Sequence, residues 1–262
     1  MQKSRQQFCE SLRKEHIGAL LAEKRRKVIE GNSIHFSTDN LMDACLELKR
    51  VRQMTNSTAE DVNKVVKNLQ MVSTGAMGDS LTMKDSHLEI IIDSGSIDYL
   101  MDVLSPIHEH NTEMMTNALW IIINAFTAND LNNRLHSSGI IHTLLVLLDQ
   151  VTSLEVADNI IWALRNAVTL HTDTRDYLVQ KDIWPMIKHK MEALYRSDEG
   201  SDLTPDEVER YQVFVSNIVK MALSFLKVSP SLAYRVVCCM IDLVLRYRSD
   251  CRECATHRRQ RD

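Results

Sequence analysis

The chain is poor in the residues that punctuate β-structure: among 262 residues there are only 7 glycines and 4 prolines. A sheet protein with many tight turns needs more of both, so a β-rich fold is excluded. No uninterrupted apolar run reaches the ~18 residues that a membrane-spanning helix requires, and no membrane association is expected. The first residues, MQKSRQQFCESLRKEH, contain no apolar stretch of signal-peptide length, which argues against secretion. The six cysteines, at 9, 45, 238, 239, 251 and 254, are scattered and form no disulfide framework, which suits a reducing compartment. Catalytic patterns are missing too. There is no phosphate-binding glycine loop and no H-E-x-x-H, and none of the ten histidines stands beside Ser, Cys or Asp at a triad-like spacing. Cys251, Cys254 and His257 have metal-like spacing, but no second pair lies nearby to complete four ligands, so neither a metal nor any other cofactor is expected.

What the chain does have is a unit that recurs. Residues 113–148 and 155–191 each contain a long apolar helix pattern with Trp-x-x-x-Asn, a polar connection and a second apolar helix pattern. Trp120 and Asn124 return 42 residues later as Trp162 and Asn166. A weaker copy lies upstream, where Gly95 precedes Ile97, Leu100, Val103 and Leu104 as Gly139 precedes Ile141, Leu144, Leu147 and Leu148. Asp182 takes the glycine's place in the third unit, a position calling for a left-handed or sharply bent backbone, which Asp visits more readily than most residues. A helical period near ~42 residues belongs to HEAT and armadillo arrays, which bury their core between neighbouring units and present a long concave face. The expected fold is therefore all-α, an armadillo-type right-handed superhelical solenoid of about four repeats. Such a protein binds rather than catalyses.

The expected organisation is a basic arm at 1–29, a linker with a short helix at 30–58, the repeat array at 59–248 and a disordered basic tail at 249–262. A helix over 38–53 is capped at Thr38 or Asp39, and apolar spacing gives another over 59–73. Residues 73–86, rich in Gly and Ser, read as a loop. An acidic insertion, 195–206, ends at Thr204-Pro205, a helix start, and helices near 206–227 and 231–247 follow. Charge is segregated along this order. Residues 1–27 carry +5, residues 246–262 carry +3, and the body between them carries −12 within an overall −4. An acidic body attracts cationic partners and a basic arm attracts anionic ones, although solvated surface charge would give the same tally.

The recurring pair has a definite chemistry. Positions i and i+4 share a helical face, so each indole lies beside an amide. An indole face accepts the stem and charged head of Lys or Arg. An Asn side chain both donates and accepts, so it can hold the N–H and C=O of an extended peptide. Repeated at the array period, the pairs would form a ladder along one negatively charged trough. That requires both indoles to be open to solvent. In the other reading both Trp are core residues and both Asn bridge neighbouring helices, and the spacing alone does not choose.

The run SLEVADNIIWALRNA at 153–167 resembles the armadillo repeats of the importin-alpha family, adaptors that recognise nuclear localisation signals. ALWIIINA at 118–125 is a looser copy, and TRDYLVQKDIWPMI at 174–187 is similar to the family's passage into its third repeat helix. The N-terminal LRK at 12–14 and KRRKV at 24–28 resemble its importin-beta-binding segment. The resemblance covers most of residues 8–194 and implies a non-enzymatic import adaptor that works between cytoplasm and nucleus. It implies that Trp120, Asn124, Asp158, Trp162 and Asn166 hold a basic cargo peptide, with Asp158 pairing a cargo lysine. It also implies that Arg13, Lys14, Lys24, Arg25, Arg26 and Lys27 engage an importin-beta-type carrier, with no direct nucleic-acid binding. From the residues alone, KRRK at 24–27 could equally be a localisation signal, a nucleic-acid contact or a solvated helix face. The chain departs from the family pattern at three places. Arg165 stands where the family has a small residue, and would repel a basic cargo or fill the groove itself. Leu170 replaces the acidic residue one turn after the repeat Asn. The segment SNIVKMALSFL at 216–226 has no third Trp-Asn pair in register. A generic armadillo scaffold that does not read standard basic signals is the alternative.

Overall fold

A computed structural model describes residues 37–77, 83–105, 111–128, 132–196 and 205–225, and every described element is a helix. In chain order these are α1 (Thr38–Gln53), α2 (Ala59–Met77), α3 (Asp85–Asp93), α4 (Ser96–Val103), α5 (Thr112–Ala125), α6 (Asn132–Ser137), α7 (Ile140–Gln150), α8 (Leu154–Leu170), α9 (Thr172–Gln180), α10 (Ile183–Arg196) and α11 (Pro205–Phe225). The all-α expectation therefore holds for the described residues. None of their helices is long and apolar enough to cross a membrane. The basic arm, including Arg13, Lys14, Lys24, Arg25, Arg26 and Lys27, lies outside the described residues, as do the expected helix at 231–247 and the tail with Cys251, Cys254 and His257.

From α3 onward the helices come in threes: two shorter ones, then a longer one, of 14, 17 and 21 residues in turn. A single left-handed residue separates the two shorter helices each time. Gly95 has φ 76°, Gly139 has φ 86° and Asp182, the only described non-glycine with positive φ, has φ 55°. The predicted hinge therefore recurs at all three places, with Asp in the one position where a Cβ must be tolerated. The apolar positions read from the sequence are core. Ile97, Leu100, Val103 and Leu104 of the first triplet are buried, as are Ile141, Leu144, Leu147 and Leu148 of the second. In the third triplet Trp184 and Ile187, which follow Asp182, are buried too.

The chain divides into two compact units, one up to Ile140 and one from Ile141. In the first, α1 packs on α2, α3 and α4, and α2 packs on α5. Leu41, Ala44, Cys45 and Leu48 of α1 are buried at helical spacing, and so are Val62, Val65, Val66, Leu69 and Val72 of α2. In the second unit α11 lies along α8, and α9 packs on both α8 and α10.

Two local expectations are corrected. The cap of α1 is Ser37, whose Oγ accepts the Asn40 N–H at 3.1 Å, rather than Thr38 or Asp39. The loop expected from residue 73 begins later, because α2 continues through Ser73, Thr74 and Gly75 to Met77. Ser73 donates its hydroxyl back to the Gln70 carbonyl at 3.0 Å, and Thr74 is buried against a neighbouring helix. Packing and hydrogen bonding outweigh the weak intrinsic propensity of this Ser-Thr-Gly run.

Candidate functional site

The two recurring pairs sit in different surroundings. In the first unit Asn111 caps α5 through its side chain, which accepts the Met114 N–H at 3.0 Å, and so fixes where the helix starts. Trp120 is half-buried on this helix. Asn124, one turn on, is fully buried. Its Nδ2 donates to Thr74 Oγ1 of α2 at 3.3 Å, and the same oxygen accepts Gln70 Nε2 at 3.2 Å. The Asn124 amide thus bridges two long helices, and a peptide on the surface cannot reach it here. Four residues before Trp120 stands Thr116, where the second pair has Asp158, so this rung lacks the acidic group. The nearest carboxylate at the start of α5, Glu113, accepts from Lys67 Nζ at 2.7 Å and Asn63 Nδ2 at 3.3 Å. Those two bonds, the lysine's first, hold its carboxyl below the usual range.

In the second unit Ser153 caps α8 by accepting the Val156 N–H, and the helix carries Asp158, Trp162, Arg165 and Asn166. Asp158 is half-buried, while Trp162, Arg165 and Asn166 are each 4 % exposed. The Arg165 guanidinium lies over the Trp162 indole, with Cζ 5.5 Å from the ring centroid. Its Nη1 donates to Asn217 Oδ1 of α11 at 2.7 Å. Asn217 in turn donates through Nδ2 to Asp158 Oδ1, also at 2.7 Å. Burial pushes Arg165 down to about 10, and the Asp158 charge opposes that fall. Lys220, on the same face of α11 as Asn217, is lowered by burial first and by the Arg165 charge second, with Asp158 again opposing.

Of the requirement that both indoles be open, Trp120 at half-burial meets part and Trp162 does not. Asp158, expected to take a cargo lysine, accepts from Asn217. Asn166, expected as a rung, is buried, as Asn124 is. All five residues are engaged in contacts within the chain. Arg165 adopts the second of the two behaviours its position suggested: it fills the space over the indole. Trp184, on α10, packs edge-on against Phe225 with ring centroids 5.1 Å apart.

Sequence reasoning missed Asn217. It lies in the segment that lacks a Trp-Asn pair, yet it joins Arg165 to Asp158. The signal was present: Phe214, Ile218, Met221 and Phe225 form the buried stripe of α11, and one amide interrupts it. Lys190 was missed as well. Its Nζ donates to the Asp149 and Val151 carbonyls at 2.7 and 2.9 Å, closing the C-terminal end of α7 with a buried cation. Among the described residues no group of three or more His, Cys, Asp or Glu could hold a metal ion. No protein-family model matches the sequence, and no curated protein matches it at a significant level.

Proposed function

We propose that the chain is a nuclear import adaptor of the importin-alpha kind, an armadillo-type right-handed superhelix of about four repeats that holds a basic segment of a partner protein. The observation that carries this is the second cluster. An indole and an amide on two long helices hold a guanidinium, with a carboxylate bonded behind the amide, and a guanidinium is the head group a basic segment presents. The recurrence of helix triplets around Gly95, Gly139 and Asp182 supports the array. The acidic body and the basic residues of the arm support the two partners, a cationic segment and an importin-beta-type carrier. The protein would act in cytoplasm and nucleus without chemistry of its own.

The test is a titration of the full chain with a labelled Lys/Arg-rich signal peptide, beside a chain lacking residues 1–29. Binding that tightens when the arm is removed, and weakens as salt is added, supports the adaptor. Negligible binding by both removes it. That outcome favours a second reading, an armadillo scaffold that binds other segments and does not read standard basic signals. The burial of Asn124 and Asn166 and the seating of Arg165 over Trp162 are the observations that favour it.

A further inference from the structure

Arg165 is an expensive residue to keep where it is. A buried guanidinium loses most of its hydration, and only a full set of acceptors or a close carboxylate offsets that loss. Arg165 has neither. Its Nη1 reaches Asn217 Oδ1, while its buried Nε reaches no acceptor among the described residues. Asp158, whose charge favours the cation, bonds the other side of the same Asn217 amide. Lys220 adds a second cation to the same neighbourhood, held down in part by the Arg165 charge. A side chain placed for stability alone would be better served by an apolar residue of the same length.

The surrounding groups nonetheless fit a guanidinium closely. The ion lies over the indole while an N–H at its edge meets an amide oxygen, and that amide passes the other side of its dipole to a carboxylate. A planar ion can stack and bond at its edge at once, whereas a compact ammonium does one or the other less well. We propose that Trp162, Asp158 and Asn217 form an arginine side-chain site that Arg165 fills from within, so that Arg165 decides whether α8 and α11 accept an arginine from a partner protein. While Arg165 is seated the site is closed. A partner arginine that brings further contacts of its own displaces it. The inference rests on the adaptor reading only in naming the partner as a protein segment. A failed signal-peptide titration would remove that reading and leave this one standing.

The test uses the full chain and methylguanidinium as probe. In Arg165→Ala the site is vacated, and methylguanidinium raises the melting temperature while leaving the unsubstituted chain unmoved. Methylammonium gives a smaller rise. Adding Asp158→Asn to Arg165→Ala abolishes the effect. Equal shifts in the unsubstituted chain and Arg165→Ala, equal effects of the two cations, or a response that survives Asp158→Asn would each overturn the proposal. Should Arg165→Ala not fold, the reactivity of Arg165 itself decides the matter. Phenylglyoxal labelling, read by peptide mass spectrometry, modifies exposed Arg50 quickly and Arg165 slowly, and Asp158→Asn, which weakens the seat, speeds labelling of Arg165 while leaving that of Arg50 unchanged. Labelling of Arg165 that is as fast as that of Arg50 in the unsubstituted chain, or that Asp158→Asn does not change, overturns it.

Discussion

Arg165 and Asp158 stand two turns apart on α8 and are joined through a residue of another helix, Asn217, which accepts from one and donates to the other at 2.7 Å each. The single amide therefore bridges a cation and an anion, offering its oxygen to one and its N–H to the other. Asn217→Ala should remove two hydrogen bonds to charged groups and leave a buried cation without an acceptor. A loss of about 2–3 kcal/mol is expected, since such groups cost more than neutral ones when left unpaired. Urea unfolding with an unchanged slope checks it. Asn217→Asp restores an acceptor for Arg165 but faces Asp158 with a like charge, so it should recover only part of the loss.

Asn124 separates a structural amide from a peptide-holding one. It is fully buried and donates to Thr74 Oγ1. Asn124→Ala should lower stability by roughly 1–2 kcal/mol, by removing the bond between the helices while Gln70 stays on the Thr74 oxygen. Combining it with Thr74→Val removes the other half of the contact, so the double variant should lose less than the two single losses added together. Additive losses in denaturant titrations would show that Asn124 does not act through Thr74.

The contrast between these amides and the helices that carry them marks what a sequence can tell. The long helices, the buried stripes of α2, α4 and α7, and the three hinge residues were legible, because each depends on spacing along one segment. The end of α2 and the short helices α6 and α9, which lie in the expected polar connections, were not, because they lack a clear apolar stripe. The direction in which Trp162 and Asn124 face was not. Positions i and i+4 define a common face, but whether it meets solvent or another long helix depends on what packs alongside. For Asn124 the neighbour is α2, and for Arg165 and Asp158 it is α11, 50 or more residues away in sequence. The consequence of Arg165 was half legible. Its charge marked a departure from the family pattern, but its seat required Asn217, which carried no motif.

The hinge residues give a prediction that isolates backbone conformation. A Cβ built at Gly95 or Gly139 meets nothing within 4 Å, so substitution there is opposed by φ alone. Gly139→Ala should cost about 1–2 kcal/mol, the penalty for an L-residue in the left-handed region. Asp182, at φ 55°, already bears a share of that penalty. Asp182→Gly should therefore leave stability unchanged or raise it, the relief of strain working against the added freedom of the unfolded chain. A pronounced fall in melting temperature for Asp182→Gly would mean that its side chain, rather than its backbone, is what the hinge needs.

His87 supplies a pH dependence whose sign follows from its burial. It lies buried near the start of α3, and its Nδ1 has no hydrogen-bond partner among the described residues. Burial first, and the neighbouring Lys84 charge second, hold its pKa below the ordinary 6.5. In the folded chain it stays neutral at a pH where the unfolded chain has begun to take up a proton. The unfolded state then binds more protons, so stability falls as the pH drops through 6.5 toward the lowered folded value, and it is unaffected by His87 well above 6.5. His87→Gln removes the titration without adding charge. Its stability should be flatter than that of the unsubstituted chain between about pH 6.5 and pH 5, where histidine linkage operates and most carboxylates are still ionised. Chemical denaturation at a series of pH values checks this. Identical slopes for the two chains over that window would show that the His87 imidazole takes up its proton as readily folded as unfolded.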